Sequence, residues 1–279
     1  MTKDKWHFKE NKQASKLEQQ QYFLVANSLE AKQASNLAQK DFALNFEPHS
    51  SLFAGQVCPS PAPKTIGQLL AYCQAIAGKT VAQVAQKHAV ELIDNLQFNR
   101  GWLGNLIELA LGAQAGSKPT QDFIELGVEL KTLAITPTGG AKSDVFVSSL
   151  PTNSYMMQAW ETSHVFYKLK KILFVPVESN PEVPLGQRRI GKAFFWSPNA
   201  HELEQMRQDW ELIMQILTQH DYNALKSNVG KLLCVRVKAL NSKQNVASKD
   251  LDGFNLNLPP LSFYLRRSFL NEILKTKNI

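Results

Sequence analysis

The sequence predicts an α/β or α+β body, a mixed sheet flanked by helices, and three observations carry that expectation. Apolar residues recur at helical spacing up to about residue 112, then alternate with period two beyond the connector "GAQAGSKPTQ". The segment "KILFVPV" at 171–177 is nearly continuous in apolar residues, as an interior strand is. Helical segments flank it, "ETSHVFYKLKK" before and "HELEQMRQDWELIMQILTQH" after, and such alternation lays helices against a sheet.

The elements follow in order. Residues 1 to about 60 are rich in Gln, Ala, Lys and Ser and carry a near repeat, "KQASKLEQQ" and "KQASNLAQK". Leu17, Phe23, Leu24, Leu29 and Leu37 are sparse apolar anchors on a helix-forming background, so one or two helices are expected there. "CPSPAPK" at 58–64 breaks the helix and marks a boundary. Thr65 is placed to cap "IGQLLAYCQAIAG" and Thr80 to cap "VAQVAQKHAV". Leu103, Leu106, Ile107 and Ala110 mark the buried face of a third helix, "GWLGNLIELALG". Strands are expected at 126–135, at 143–150, at 171–177, within 231–240 and around 261–267.

Composition narrows the function classes. At 279 residues the chain can bury a real core, and 44% hydrophobic with 20% charged residues is a globular balance. A formal charge of +7 favours a polyanionic partner. Cys58, Cys73 and Cys234 are too few and too scattered for a disulfide framework or paired zinc ligands, so a reducing compartment is expected. No signal peptide is evident at the start, and no stretch is long and apolar enough for a membrane span. The expected location is the cytoplasm, with no membrane partner.

Chemistry concentrates in "TQDFIELGVELKTLAI" at 120–135. On a strand beginning near Val128, Glu129 and Lys131 share one face, and Gly127 permits a turn that brings Asp122 alongside. Two adjacent carboxylates repel unless a cation sits between them or one is protonated. A hard divalent cation such as Mg²⁺ prefers such oxygen ligands. Lys131 is then free to orient or deprotonate a water, or to stabilise charge developing on a phosphate. Glu108 interrupts the apolar sequence of the third helix and needs a partner, which the same site provides. Spacing alone fits equally a same-face ion pair between Glu129 and Lys131 on a half-exposed strand.

The wording of several separated segments goes further. "GWLGNLIELALGAQAGSKPTQDFIELGVELKT", "WETSHVFYKLKKILFVPVE", "PLGQRRIGKAFFWSPN" and "FYLRRSF" closely resemble the MutH family of DNA mismatch-repair endonucleases, relatives of type II restriction enzymes. The resemblance runs from about Lys64 to the C-terminus. It implies a restriction-endonuclease-like core over 61–279, with room for two lobes around a DNA-binding cleft, and leaves 1–60 as a helical extension. The family's catalytic motif falls on Asp122, Glu129 and Lys131, its additional acidic residue on Glu108, and a lysine near its catalytic centre on Lys168. Implied are Mg²⁺ held by Asp122, Glu129 and Glu108, double-stranded DNA as substrate, and activation by a MutL-type ATPase. The activity implied is nicking of the unmethylated strand at hemimethylated GATC, 5′ to the guanine, by a monomer.

DNA-facing residues follow from both readings. Arg236 and Lys238 share a strand face that can present a fork to guanine or phosphate. In the family this arginine, the next residue (Val237 here, proline there) and the lysine lie in the segment that reads the recognition sequence. Tyr264 matches the tyrosine that discriminates adenine from N6-methyladenine, and Phe146 an aromatic near the cleft. Arg266, Arg267 and Lys118 are backbone-phosphate candidates. Lys168, Lys171 and His164 can share a helix face, with His164 as a support rather than a metal ligand. Arg188, Arg189 and Lys192 sit on an expected loop and suit DNA or an acidic partner surface. Two alternatives stay open: a GATC-specific type II restriction endonuclease, and a non-catalytic DNA- or MutL-binding protein retaining the fold.

Overall fold

The computed structural model of the chain describes residues 57–94, 96, 101–115, 120–150, 159–219, 224–225, 228–237, 246–249, 255–258 and 261–277. All belong to one compact unit, Pro48–Ile279. The helices expected over residues 17–37 lie outside the described residues, as do Lys118 and Lys238.

Among the described residues three helices come first: α1 (Ile66–Ile76), α2 (Val81–Lys87) and α3 (Trp102–Leu111). The two threonine caps are present. Thr65 Oγ1 accepts the Gln68 amide at 3.1 Å, and Thr80 forms a reciprocal capping box with Gln83. Helix α3 stops at Gly112, whose φ of 73° is left-handed. A Cβ there would stand 2.2 Å from the Pro61 carbonyl oxygen, so only glycine fits.

A mixed sheet follows. Strand β1 (Glu129–Ile135) runs parallel to β3 (Ile172–Glu178), which pairs antiparallel with the short β4 (Phe194–Trp196). A second, antiparallel sheet has the order β2 (Val145–Ser149), β8 (Leu261–Leu265), β5 (Leu233–Val237). Strands β6 (Val246–Lys249) and β7 (Asn255–Leu258) form a separate pair. Between strands lie α4 (His164–Leu169) and the long α5 (Ala200–Thr218), and α6 (Arg267–Thr276) ends the described chain. The fold is the expected mixed α/β class, although its described strands divide among two three-stranded sheets and the β6–β7 pair.

The apolar run of β3 now has a cause. Leu173, Val175 and Val177 face a core built with Leu69, Trp102 and Ile107 from α1 and α3. Ile172 and Phe174 face the opposite core, with Trp210 of α5, Phe263 of β8 and Phe269 of α6. A strand covered on both faces has no polar side to show. Strand β1 is divided the same way: Leu130 packs towards α3 and Leu133 towards the second core. Glu129 and Lys131, in phase with Leu133, therefore lie on the face turned to the second sheet.

The strand expected from 126 begins later. Ile124–Leu126 is a 3₁₀ turn closed by Gly127 at φ 62°, and Phe123 and Val128 exchange backbone hydrogen bonds of 2.9 and 3.2 Å. Strand and turn together fold Asp122 back alongside β1. At the C-terminus the strand expected around 261–267 ends at Leu265, and α6 takes over at Arg267.

Candidate active site

The 3₁₀ turn sets Asp122 beside β1, where its Oδ2 accepts the Leu130 amide at 2.7 Å. The Asp122 carbonyl accepts the Gln114 amide at 2.9 Å, which ties the turn to the end of α3. Gln121 braces it from the other side, its Nε2 donating to the Tyr167 carbonyl of α4 at 2.8 Å. The carboxylate itself is held by β1, and the segment that carries it is tied to α3 and α4.

Glu129 is wholly buried. Its Oε1 accepts from Lys131 Nζ at 2.5 Å and from Lys168 Nζ at 2.9 Å. The Ser163 cap, whose Oγ accepts the Phe166 amide, starts α4 in the register that sends Lys168 inward. Lys171 turns elsewhere, over the Phe195 ring, so the two lysines do not act on one surface. Glu108 on α3 and His164 on α4 line the same cavity of about 850 Å³ as Asp122, Glu129, Lys131 and Lys168.

The electrostatics follow from crowding. Burial, with Glu129 adding repulsion, pushes the Asp122 carboxyl up to about 7 despite the opposing pull of Lys131. Burial likewise raises Glu108, with Lys131 opposing. For Lys131, burial favours the neutral amine, but Glu129, Asp122 and Glu108 outweigh it and hold the ammonium protonated.

These residues fit a hard divalent cation. Glu129 Oε2 is buried and, among the described residues, has no hydrogen-bond partner, a costly state for a carboxylate oxygen. A cation would satisfy that oxygen and relieve the repulsion that raises Asp122. Among the described residues, no three Asp, Glu, His or Cys side chains close into a metal cage, so Glu108 shares the cavity without completing one. Mg²⁺ asks for no more than one or two carboxylates, filling its octahedron with water and phosphate oxygens.

Beyond the carboxylates the cavity wall belongs to the second sheet. Phe146 and Tyr264 are cross-strand partners with rings edge-to-face at 5.7 Å, and Lys131 Nζ lies 5.7 Å from the Phe146 ring centre. Arg236 on β5 is held by Asp144, which also lines the cavity. Val237 pairs with Leu261 at the end of β5.

The basic residues separate sharply. Arg266 donates Nε to the Gly230 carbonyl at 2.7 Å and Nη2 to that of Val229, so its guanidinium is engaged with backbone. Arg267 is exposed at the start of α6. Arg188 lines the cavity while its Nε donates to the Val183 carbonyl, Arg189 reaches the Gly78 carbonyl, and Lys192 is exposed. The sequence alone did not point to Asp144 or Gln121. Each acts on a partner 92 or 46 positions away, a pairing that only the fold reveals.

A mixed sheet whose edge strand carries a glutamate and a lysine into a cleft of mixed acidic and basic side chains, with an aspartate folded beside them by the preceding turn, places this chain among the restriction-endonuclease-like enzymes, which cut DNA. The model of the family described as "DNA mismatch repair enzyme MutH" matches residues 111–209. The chain is 39% identical over 212 residues to the DNA mismatch repair protein MutH of Escherichia coli (strain SMS-3-5 / SECEC), covering 76% of this chain and 93% of that protein. Identity and coverage are the same for its counterpart in Escherichia coli O139:H28 (strain E24377A / ETEC). The chain belongs to the MutH family of mismatch-repair DNA endonucleases.

Proposed function

We propose that this endonuclease is Mg²⁺-dependent and nicks the unmethylated strand of hemimethylated GATC sites, 5′ to the guanine, in methyl-directed mismatch repair. The observation that carries the metal-dependent reading is the buried Glu129 carboxylate, with two ammonium groups on Oε1 and no described partner on Oε2, beside a reluctant Asp122. Asp122 and Glu129 would hold the ion, with Glu108 shaping the field around it. Bound Mg²⁺ supplies positive charge that polarises the phosphodiester and makes water a better nucleophile at neutral pH.

The lysines act differently. Lys131, whose ammonium form is favoured by Glu129, Asp122 and Glu108 around it, is a hydrogen-bond donor to Glu129. It orients water for in-line attack and stabilises charge growing on the phosphate. Lys168 shares Glu129 Oε1 and fixes that carboxylate in place through a charge-assisted hydrogen bond. The products are a 5′ phosphate and a 3′ hydroxyl.

For recognition, Arg236, Val237 and Lys238 read the site, Tyr264 with Phe146 beside it senses the adenine methyl sterically, and Arg267 and Lys118 contact phosphates. A monomer with one centre cuts one strand, and a MutL-type ATPase triggers it in the cytoplasm. Residues 61–279 form the endonuclease domain and 1–60 a helical extension. No helix among the described residues is long and apolar enough to cross a membrane.

Cleavage of unmethylated, hemimethylated and fully methylated GATC duplexes, with Mg²⁺ and a MutL-type ATPase, tests the proposal. Nicking confined to unmethylated strands is expected. Double-strand cutting without the ATPase would establish a restriction enzyme instead, and absence of any cutting would overturn the reading. Asp122→Ala is expected to abolish cutting while duplex binding persists.

A further inference from the structure

Asp144 stands at the entry to β2, between the catalytic cleft and the strand that carries Arg236. Both of its oxygens are used. Oδ2 accepts from Arg236 Nη2 at 2.7 Å and Nε at 3.0 Å, and lies 3.7 Å from Cys234 Sγ on the same strand. Oδ1 accepts the Arg267 amide at 2.8 Å. That amide opens α6, whose own N-cap, Arg266, supplies no side-chain acceptor. A carboxylate at a helix start is favoured by the helix dipole, so Asp144 is anchored from the α6 side independently of Arg236. It is a fixed post, and the arginine leans on it.

This geometry has a directional consequence. A guanidinium has one edge formed by Nε and Nη2 and another formed by Nη2 and Nη1. Asp144 occupies the first edge, which turns the second outwards as a planar fork. Arg236 is 38% exposed and Asp144 only 19%, so the outer edge is the accessible one. An arginine already locked in its rotamer loses less freedom when it binds, and its fork meets one geometry instead of many. A freely rotating arginine would bind any phosphate nearly as well as the intended base edge.

We propose that Asp144 is a positioning residue for sequence recognition: by gripping the inner edge of Arg236 it aims the outer fork at a base of the recognition site. It also places a negative charge beside the cleft that disfavours unspecific approach of phosphate to the same arginine. This inference rests on the reading that Arg236 contacts bases, and the test separates the two.

Equilibrium binding is measured by anisotropy, with Ca²⁺ in place of Mg²⁺. The probes are a hemimethylated GATC duplex and duplexes with one base pair of that site exchanged. Asp144→Asn keeps an acceptor for the Arg267 amide and removes the charge that grips Arg236. The expected result is about a tenfold fall in the affinity ratio between target and exchanged duplexes, with affinity for the exchanged duplexes unchanged or higher. Arg236→Ala should lose at least as much discrimination, and the double variant no more than Arg236→Ala alone. If Arg236→Ala lowers the ratio and Asp144→Asn leaves it at the wild-type value, the positioning role is overturned while base reading by Arg236 stands. If neither changes the ratio, base reading itself fails and the inference with it. Arg236→Lys serves where Asp144→Asn does not fold. It keeps a cation for Asp144 without the fork, so an unchanged ratio there also overturns the proposal.

Discussion

Lys168 of α4 places its ammonium 2.9 Å from Oε1 of Glu129, the same oxygen that Lys131 approaches from its own strand at 2.5 Å. Two cations on one oxygen of a fully buried carboxylate leave the other oxygen without a hydrogen-bond partner among the described residues. The surface ion pair that spacing alone allowed between Glu129 and Lys131 is therefore the wrong description. The pair is present, but it is buried and joined by a third member from a distant helix.

The two lysines should separate in their effects. On the proposed mechanism Lys131→Ala removes the donor that orients the attacking water, and a fall in nicking rate of about 10²- to 10³-fold is expected, typical for one positioned charge at a developing anion. Lys168→Ala removes a support of Glu129, and a smaller fall, roughly tenfold or more, is expected. Single-turnover nicking at saturating protein measures both. Equal rates for Lys131→Ala and wild type would exclude Lys131 from the chemical step.

Asp122 gives a pH-dependent stability with a defined sign. Its carboxyl stands near 7 in the fold, against an ordinary value of 3.8, so between those values the folded state holds a proton that the unfolded state has released. Stability from this group is therefore present below about pH 4 and is lost as pH rises towards 7. Asp122→Asn, which cannot ionise, escapes the loss. In EDTA at pH 8 the variant should be more stable than wild type by on the order of a few kcal/mol, and the gap should close towards pH 4. Urea denaturation across that range measures it. A pH-independent gap would sink the raised Asp122 carboxyl that burial and, after it, Glu129 produce.

Much of this architecture was legible from local rules. Thr65 and Thr80 announced their helices because a cap acts over three residues, and the unbroken run of β3 announced a strand covered on both sides. The clustering of Asp122 with Glu129 was also local, since one 3₁₀ turn and Gly127 bring them together. The rest was not local. Helix α6 escaped notice because its capping carboxylate, Asp144, comes from 123 positions earlier. The inward course of Lys168 depends on packing of α4 that no spacing rule conveys. The second three-stranded sheet depends on β8 pairing with both β2 and β5.

Asp209 is a carboxylate on the buried face of α5, between Met206 and Ile213. Its oxygens accept the amides of Lys231, Leu232 and Leu233 at 2.9, 2.6 and 2.9 Å, which fixes the start of β5 and so the strand bearing Arg236. Asp209→Ala strands these three donors, at a cost of about 1–3 kcal/mol for each one left buried and unpaired. A loss of about 3 kcal/mol or more in chemical denaturation is expected. A change below about 1 kcal/mol would show that the turn finds other acceptors.

Arg266 and Arg267 are adjacent and both basic, yet they should fail in opposite ways. Arg266 satisfies the Val229 and Gly230 carbonyls, so Arg266→Ala removes donors that hold the segment leading into β5. The expected result is destabilisation of about 1–3 kcal/mol. At temperatures where the variant is folded, the salt dependence of duplex binding should stay at the wild-type value, because no phosphate contact has gone. Arg267 is exposed, with its backbone amide held by Asp144, and is the proposed phosphate contact. Arg267→Ala should leave stability within about 0.5 kcal/mol. It should weaken binding to all duplexes alike and reduce the slope of log affinity against log salt by about 1. Thermal melts together with binding at several salt concentrations decide the matter. A reduced salt slope for Arg266→Ala, or an unchanged one for Arg267→Ala, would reverse the assignment of which arginine faces the polymer.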